Sequence, residues 1–370
     1  MRVLFLISDT GGGHRAAANA IAAALREAKP SVQIEIVDAL VEGCPWPMSS
    51  APGIYAFGMK HLRWLWALCF HLSNGPRRAR LSSNLGYMSN ARGLRRLLRN
   101  HATDLVVSTH PLLTHQVLRA LNANGARPPF AVVVTDLVSG HWTWYEHGVD
   151  LFCVPTEDAK SVMTGGGVEA TKIHVCGQPV PARLAALRLQ RAHLRSGRQL
   201  ERPTLLLLGG GDGTGGLGRF ARALAAANLG IEIVVVCARN AALKAELDAA
   251  DLGPQVRVLG FVQDLPEWMV AADMLITKGG PGSIMEGCAA GLPMVIYDWI
   301  PGQEIGNVRF AQQQGFARVA TKPARLVDTV RALLADPVAL AQMRAAAISA
   351  AVPDSSARIA RTLLDFTASR

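Results

Sequence analysis

The residues that could carry chemistry sit in loops, and four of those loops are rich in glycine. Asp9-Thr-Gly-Gly-Gly-His14 follows a short apolar run and precedes an alanine-rich stretch. Glycines between a strand and a helix let a ligand approach the backbone, and the helix N-terminus favours anions, so Gly12 and Gly13 are candidate acceptor contacts. Lys followed by Ser or Thr is missing, so this is not a Walker A loop. His14 would stand at the helix start, where a near-neutral imidazole could take a proton from an attacking hydroxyl. The alternative is an ordinary polar residue in a first helical turn. A second loop contains Gly211-x-Gly213-x-x-Gly216, with Glu232 sixteen residues beyond, which matches a dinucleotide fingerprint but also suits plain close packing. A third, Lys278-Gly-Gly-Pro-Gly-Ser-Ile-Met-Glu286, could hold a diphosphate through backbone N–H groups, Gly282 and Ser283, with Glu286 accepting from ribose hydroxyls. Ser283-x-x-Glu286 is equally a capping box, which would only satisfy helix donors. In the fourth, Trp299-Ile-Pro-Gly-Gln-Glu-Ile-Gly-Asn307, Gln303 and Glu304 are a planar amide and carboxylate suited to neighbouring sugar hydroxyls, or part of a plain Pro-Gly turn.

Two further loops add side chains. Ser108-Thr-His110-Pro111 would place His110 at an acceptor site or make a pre-proline bend. Thr135-Asp136 with His141 and Trp142 offers Asp136 as a group that orients or assists a base, or as an Asx turn. His141 and His147 lack a third well-placed ligand, so no metal site is expected.

These loops need a scaffold that presents them together. Short apolar runs read as buried parallel strands at 3–7, 32–37, 105–108, 130–135, 151–154 and 173–175, then at 205–208, 231–237, 256–260, 274–277 and 294–297. Residues 14–29 and 355–370 read as helices. Two series, each opening with strand, glycine loop and helix, imply an α/β fold of two doubly wound domains, with ligands beyond the carboxyl ends of the strands in a cleft between them. The expected division is an N-terminal domain over 1–182, an arginine-punctuated linker over 183–203, a C-terminal domain over 204–350, and a closing helix over 351–370 that returns to the N-terminal domain.

The chain has 370 residues, half of them apolar, which excludes disorder as its main character. Six cysteines without C-x-x-C spacing read as reduced, buried thiols of a cytosolic protein. No apolar run reaches the roughly 18–20 residues of a spanning helix. The formal net charge is +10, and residues 1–130 hold 15 basic against 6 acidic residues. Residues 43–103 carry nine Lys or Arg and no acid, interleaved with aromatics. Lys60, Arg63, Trp64, Trp66, Arg77, Arg78 and Arg80 are therefore candidate contacts to an anionic membrane surface. Over 91–99, arginines on one helical face and leucines on the other fit either a membrane or an ordinary surface helix. No nucleic-acid module is recognisable, so nucleic acid is not expected as a partner.

Together the motifs resemble the monogalactosyldiacylglycerol synthase and processive diacylglycerol glucosyltransferase family. Ser8-Asp-Thr-Gly-Gly-Gly-His14 is similar to its opening motif, and Val134-Thr-Asp136 with His141 and Trp142 to its middle motif. Lys278-Gly-Gly-Pro-Gly-Ser283 with Glu286, Gly291-Leu-Pro293, and Pro301-Gly-Gln-Glu304 with Asn307 are similar to its donor motif. The family often has Ala where Gly280 and Gly287 stand here. The resemblance implies a GT-B fold and an inverting, metal-independent hexosyltransferase with no cofactor, the UDP-sugar being a co-substrate. It implies UDP-glucose or UDP-galactose as donor, and diacylglycerol or a glycosyldiacylglycerol as acceptor on the cytoplasmic face of a membrane. Gly210, Ser283 and Glu286 would meet the nucleotide diphosphate and ribose, Phe261 and Val262 the uracil, and Gln303 with Glu304 the sugar. His14 would be the base, with Asp136 as rival or partner. The alternatives are a polyprenyl-linked or other lipid acceptor, a nucleotide-regulated lipid or RNA sensor without turnover, and an NAD(P)-dependent oxidoreductase built on the second glycine loop.

Overall fold

The computed structural model describes residues 1–125, 127–138, 140–210 and 216–369. They divide into two units: Met1–Pro179 with Pro301–Gly306 and Asp354–Arg370, and Val180–Ile300 with Asn307–Pro353.

The strands of the first unit are β1 (Arg2–Ile7), β2 (Gln33–Asp38), β3 (Leu105–Ser108), β4 (Phe130–Val133), β5 (Leu151–Val154) and β6 (Ile173–Val175). They form one parallel sheet in the order β2-β1-β3-β4-β5-β6. Four of the six are buried along their whole length or nearly so, as strands covered on both faces must be. The helices are α1 (Gly13–Ala28), α2 (Ala39–Gly43), α3 (Ala51–His61), α4 (Arg63–Ser73), α5 (Pro76–Asn100), α6 (Pro111–Ala123) and α7 (Glu157–Gly165). Alanine carries α1, and its Ala18, Ile21, Ala22 and Leu25 are fully buried.

The second unit holds the short helices α8 (Arg183–Leu187) and α9 (Arg191–Gly197), then β7 (Thr204–Leu208), α10 (Leu217–Ala226) and β8 (Glu232–Val236). Next come α11 (Ala241–Asp248), β9 (Val256–Leu259), α12 (Leu265–Ala271), β10 (Met274–Lys278), α13 (Pro281–Ala290) and β11 (Met294–Asp298). The series ends with α14 (Ile305–Gln313), β12 (Ala317–Val319), α15 (Pro323–Leu334) and α16 (Pro337–Ala350). Its sheet is parallel in the order β12-β11-β10-β7-β8-β9. The last helix, α17 (Ser355–Ala368), belongs to the first unit and packs on α1, burying Ile359, Ala360 and Leu363.

Strand order reverses between β1 and β3 in the first sheet and between β7 and β10 in the second. Such switch points leave a crevice at the carboxyl ends of the strands. The loops flanking them are those after Ile7, Ser108, Leu208 and Lys278, all singled out from sequence.

Three expectations need amending. Residues 183–203, read as a partly helical linker, do carry helices, and these are packed into the second unit: α8 and α9 lie on α12, and Arg191 and Arg195 both bind the Asp273 carboxylate at 2.6 and 2.8 Å. Pro301–Gly306, assigned from sequence to the C-terminal domain, counts with the first unit. Strand β12 escaped notice because Ala-Arg-Val is short and its central Arg318 is exposed. Among the described residues, no helix is long and apolar enough to cross a membrane.

Candidate functional site

The loop after β1 is held rigidly. Arg15 clasps the Asp9 carboxylate through two bonds of 2.7 Å, and the Asp9 amide donates to Asp38 Oδ2 at 2.8 Å. Gly11 takes φ +83°, a left-handed conformation that suits glycine. His14 follows in the first turn of α1, and its Nδ1 lies 2.6 Å from the Thr109 carbonyl oxygen. A carbonyl only accepts, so Nδ1 carries the proton and Nε2 keeps its lone pair. Burial lowers the His14 pKa to about 4, against the opposing pull of the Thr109 bond, so the ring is neutral at physiological pH.

His110 lies with its ring centroid 4.4 Å from that of His14. Its Nδ1 accepts from the Leu112 amide, capping α6, so its Nε2–H donates to Thr10 Oγ1 at 2.9 Å. Burial, and then the neighbouring His14, hold its pKa well below the usual range. His141 is similarly committed. Ser73 Oγ donates to the Cys69 carbonyl, so His141 Nε2–H donates to Ser73 Oγ at 3.0 Å, while Nδ1 accepts from the Thr143 amide. His110 and His141 therefore both act as caps and braces, with only their rings facing the pocket.

Asp136 Oδ2 accepts from the indole N–H of the buried Trp144 at 2.7 Å. Burial pushes the Asp136 pKa up to about 6. The Trp144 bond pulls it down and the Glu304 carboxylate pushes it up. Gly140 is required here, because a Cβ would fall 2.3 Å from Trp144 Cδ1 and 3.2 Å from Asp136 Oδ2. Trp144 is not among the residues singled out from sequence.

These groups meet in one pocket of about 250 Å³ within the first unit. His14, Thr10, His110, Asp136, His141 and Gln303 line it together with Tyr55, Trp66, Phe70, Pro111 and Leu112. Gly12 caps α1, but neither it nor Gly13 lines the pocket. Gln303 reaches the pocket because Pro301–Gly306 belongs to this unit, where Gly302 (φ +83°) lies so close to Phe70 that a Cβ would approach Cδ1 to 2.7 Å.

On the second unit, α13 starts at Pro281 with Gly280 as its N-cap and no capping side chain. Ser283 therefore lies inside the first turn, and the capping-box reading of Ser283 and Glu286 falls. Glu286 sits one turn further on, and burial raises its pKa to about 7. Among the described residues, and apart from their own chain neighbours and helix backbone, nothing lies within 4 Å of where a Cβ would stand on Gly282 or on Gly210, whose φ is +74°. Gly287 is different: a Cβ there would meet Met294 Cε at 2.5 Å and Leu275 Cδ2 at 2.8 Å. The ring of Phe261 is 64% exposed, with the Arg239 guanidinium 5.8 Å above it, and Val262 is half-buried. Residues 211 and 213 of the second glycine loop lie outside the described residues.

The basic stretch forms α3, α4 and the start of α5. Neither α3 nor α4 buries a single residue. Ile54, Phe57, Trp64, Leu68, Leu72, Leu81, Leu85 and Met88 are all exposed, among exposed Lys60, Arg77, Arg78 and Arg80 and half-buried Arg63. Trp66 differs from expectation: it turns inward to the pocket wall, where its ring sits edge-on to Tyr55. Over 91–99 the ordinary surface helix holds, since Leu94, Leu97 and Leu98 are buried under the arginines.

Solved structures share this architecture. MurG of Acinetobacter baumannii superposes with a TM-score of 0.61 at 14% identity, covering 98% of this chain and 99% of that one. The calicheamicin glycosyltransferase CalG4 gives 0.60 at 16%, covering 99% and 98%. Two parallel doubly wound sheets with these likenesses define a GT-B fold, the class of those glycosyltransferases. A family model for monogalactosyldiacylglycerol (MGDG) synthase matches residues 14–180, and one for the glycosyltransferase family 28 C-terminal domain matches 204–359. The spinach (Spinacia oleracea) chloroplastic monogalactosyldiacylglycerol synthase is 38% identical over 344 residues, which cover 89% of this chain and 65% of that one. The probable monogalactosyldiacylglycerol synthase 2 of Oryza sativa subsp. japonica is 36% identical over 339 residues, 87% of this chain and 71% of that one. The chain belongs to the monogalactosyldiacylglycerol synthase family.

Proposed function

We propose that the protein transfers a hexose from a UDP-sugar to the free hydroxyl of diacylglycerol, or of a glycosyldiacylglycerol, at a membrane surface. The observation that supports this best is the first unit's pocket. It sets a neutral imidazole with a free Nε2 lone pair and a carboxylate of raised pKa against an aromatic and aliphatic wall. An acceptor with one hydroxyl and a long apolar body suits such a site. The names of the relatives favour galactose as the sugar.

In the reaction the acceptor hydroxyl gives its proton to His14 Nε2 or to Asp136. Its oxygen forms a bond to the anomeric carbon as the bond to the diphosphate oxygen breaks, and the configuration inverts. The leaving diphosphate gains negative charge, which Ser283 and the uncapped N–H groups of α13 would stabilise without a metal. Glu286 would take the ribose, Gly210 the diphosphate, Phe261 and Val262 the uracil, and Gln303 with Glu304 the sugar. The exposed apolar and cationic surface of α3 to α5 would hold the first unit on an anionic bilayer as a peripheral protein.

The test is incubation with liposomes containing diacylglycerol and radiolabelled UDP-galactose or UDP-glucose in parallel, beside liposomes carrying a polyprenyl-linked acceptor. Lipid-soluble label in the diacylglycerol arm is expected. Label confined to the polyprenyl arm, or absent from both, refutes the assignment.

A further inference from the structure

One donor in the first unit's pocket has no partner among the described residues. Trp66 lies on α4 with its ring edge-on to Tyr55, centroids 5.2 Å apart and planes at 84°, and both rings line the pocket that holds His14 and Asp136. The Trp66 indole N–H is enclosed, yet among the described residues no acceptor lies within hydrogen-bond reach. Its polar neighbours are spent on one another: His110 on Thr10, His141 on Ser73, Asp136 on Trp144. Enclosed N–H groups without a partner are uncommon in folded proteins, because burying one unpaired is unfavourable. A pocket that keeps such a donor beside its reactive groups is built for a ligand acceptor.

The pocket's size decides which part of a lipid meets it. A cavity of about 250 Å³ is far smaller than a diacylglycerol with two long chains. It suits a glycerol and its nearest ester, without the acyl chains. The chains must leave along α3 and α4, whose outer residues Ile54, Phe57, Trp64, Leu68 and Leu72 are exposed and apolar. By ordinary bond lengths, the ester carbonyl next to the free hydroxyl of a diacylglycerol lies about 5 Å from it. A hydroxyl placed at His14 or Asp136 therefore brings that carbonyl within the span of the same pocket. Turning the indole toward it breaks no hydrogen bond.

We propose that the Trp66 indole N–H donates to the acyl ester carbonyl adjacent to the reacting hydroxyl, and so makes the protein selective for ester-linked over ether-linked diglycerides. This rests on the lipid-acceptor reading above. An ether-linked acceptor keeps the hydroxyl and both chains but has no carbonyl, and would leave the donor unpaired.

The experiment compares 1,2-diacylglycerol with a 1,2-di-O-alkylglycerol of equal chain length in the same liposomes, with labelled UDP-sugar, for the wild-type protein and Trp66→Phe. The wild type should favour the ester by about 10- to 100-fold in kcat/KM. In Trp66→Phe the ratio should fall to within about threefold of one, with the thermal midpoint recorded to confirm folding. Equal use of both acceptors by the wild type overturns the inference while leaving the lipid-acceptor reading intact, and that comparison needs no variant. An undiminished preference in a folded Trp66→Phe protein also overturns it. Label in neither lipid overturns both readings.

Discussion

Trp144→Phe keeps a ring in the core and deletes one bond, the indole N–H that Asp136 accepts at 2.7 Å. A hydrogen bond to an ionised carboxylate is worth about 1.5–3 kcal/mol, and roughly 1.4 kcal/mol corresponds to one pKa unit. Losing it should raise the Asp136 pKa by about one to two units above its present value of about 6. At pH 7 the ionised fraction then falls from roughly nine-tenths to between about one-half and one-tenth. The deprotonated carboxylate is the form that can accept a proton, so activity rises with pH through this titration and the substitution moves the limb to higher pH. The variant should lose about two- to tenfold in kcat/KM at pH 7 and recover most of it by about pH 9. Initial rates on diacylglycerol liposomes across this range measure it. A limb that stays near pH 6 in Trp144→Phe refutes the argument that this bond tunes the reaction. A wild-type limb near pH 4 would instead follow the His14 imidazole, whose pKa burial sets at about 4, and would make His14 the titrating base.

Three further outcomes are expected. Asp136→Asn should remove most activity yet raise the thermal midpoint at pH 8. The folded-state pKa lies above the ordinary carboxylate value, so ionising the group costs stability as pH climbs from about 4 to about 6, and the amide removes on the order of 1–2 kcal/mol of that cost; a variant no more stable than wild type at pH 8 contradicts this. Changing Arg77, Arg78 and Arg80 together to Gln should weaken co-sedimentation with anionic liposomes by up to about 100-fold at low salt, at about 1 kcal/mol per cation, and the difference should shrink in high salt; unchanged low-salt binding would count against this surface as the docking face. Ala238, two residues beyond β8, takes φ +51°, so Ala238→Gly should stabilise the second unit by about 1 kcal/mol in thermal denaturation, and a lowered midpoint would show that the left-handed turn costs nothing there.

Much of the scaffold was legible because buried parallel strands announce themselves as short apolar runs. Leu105–Ser108, Leu151–Val154 and Ile173–Val175 have the bounds read from sequence. The loops at their ends were legible because glycine and histidine after such a run have few structural reasons to be there. What escaped depended on contacts made at a distance. The tautomer of His14 is set by a carbonyl 95 residues away. Trp144 is core, but its one polar atom faces Asp136; the spacing of Asp136, Gly140 and Trp144 around a tight loop was the available signal. Ser283-x-x-Glu286 fitted a cap by pattern alone, and only the helix start at Pro281 shows that Ser283 sits too far in to serve as one. The inward turn of Trp66 was hidden because a stretch apolar on all sides has no periodicity from which to tell its inner face.

The chain passes from one unit to the other four times, at residues 179/180, 300/301, 306/307 and 353/354. Neither unit is therefore a contiguous fragment. A protein ending at Pro179 would lose α17 and expose the side of α1 that Ile359 and Leu363 cover, and it would lose Gln303 from the pocket wall. Truncating one such buried aliphatic side chain typically costs about 2–5 kcal/mol, a large share of a domain's stability. Gene fusions, domain exchanges with relatives and limited proteolysis all face the same constraint: the first unit is completed only when Pro301–Gly306 and Asp354–Arg370 are present, so no cut at a single position separates the two units intact.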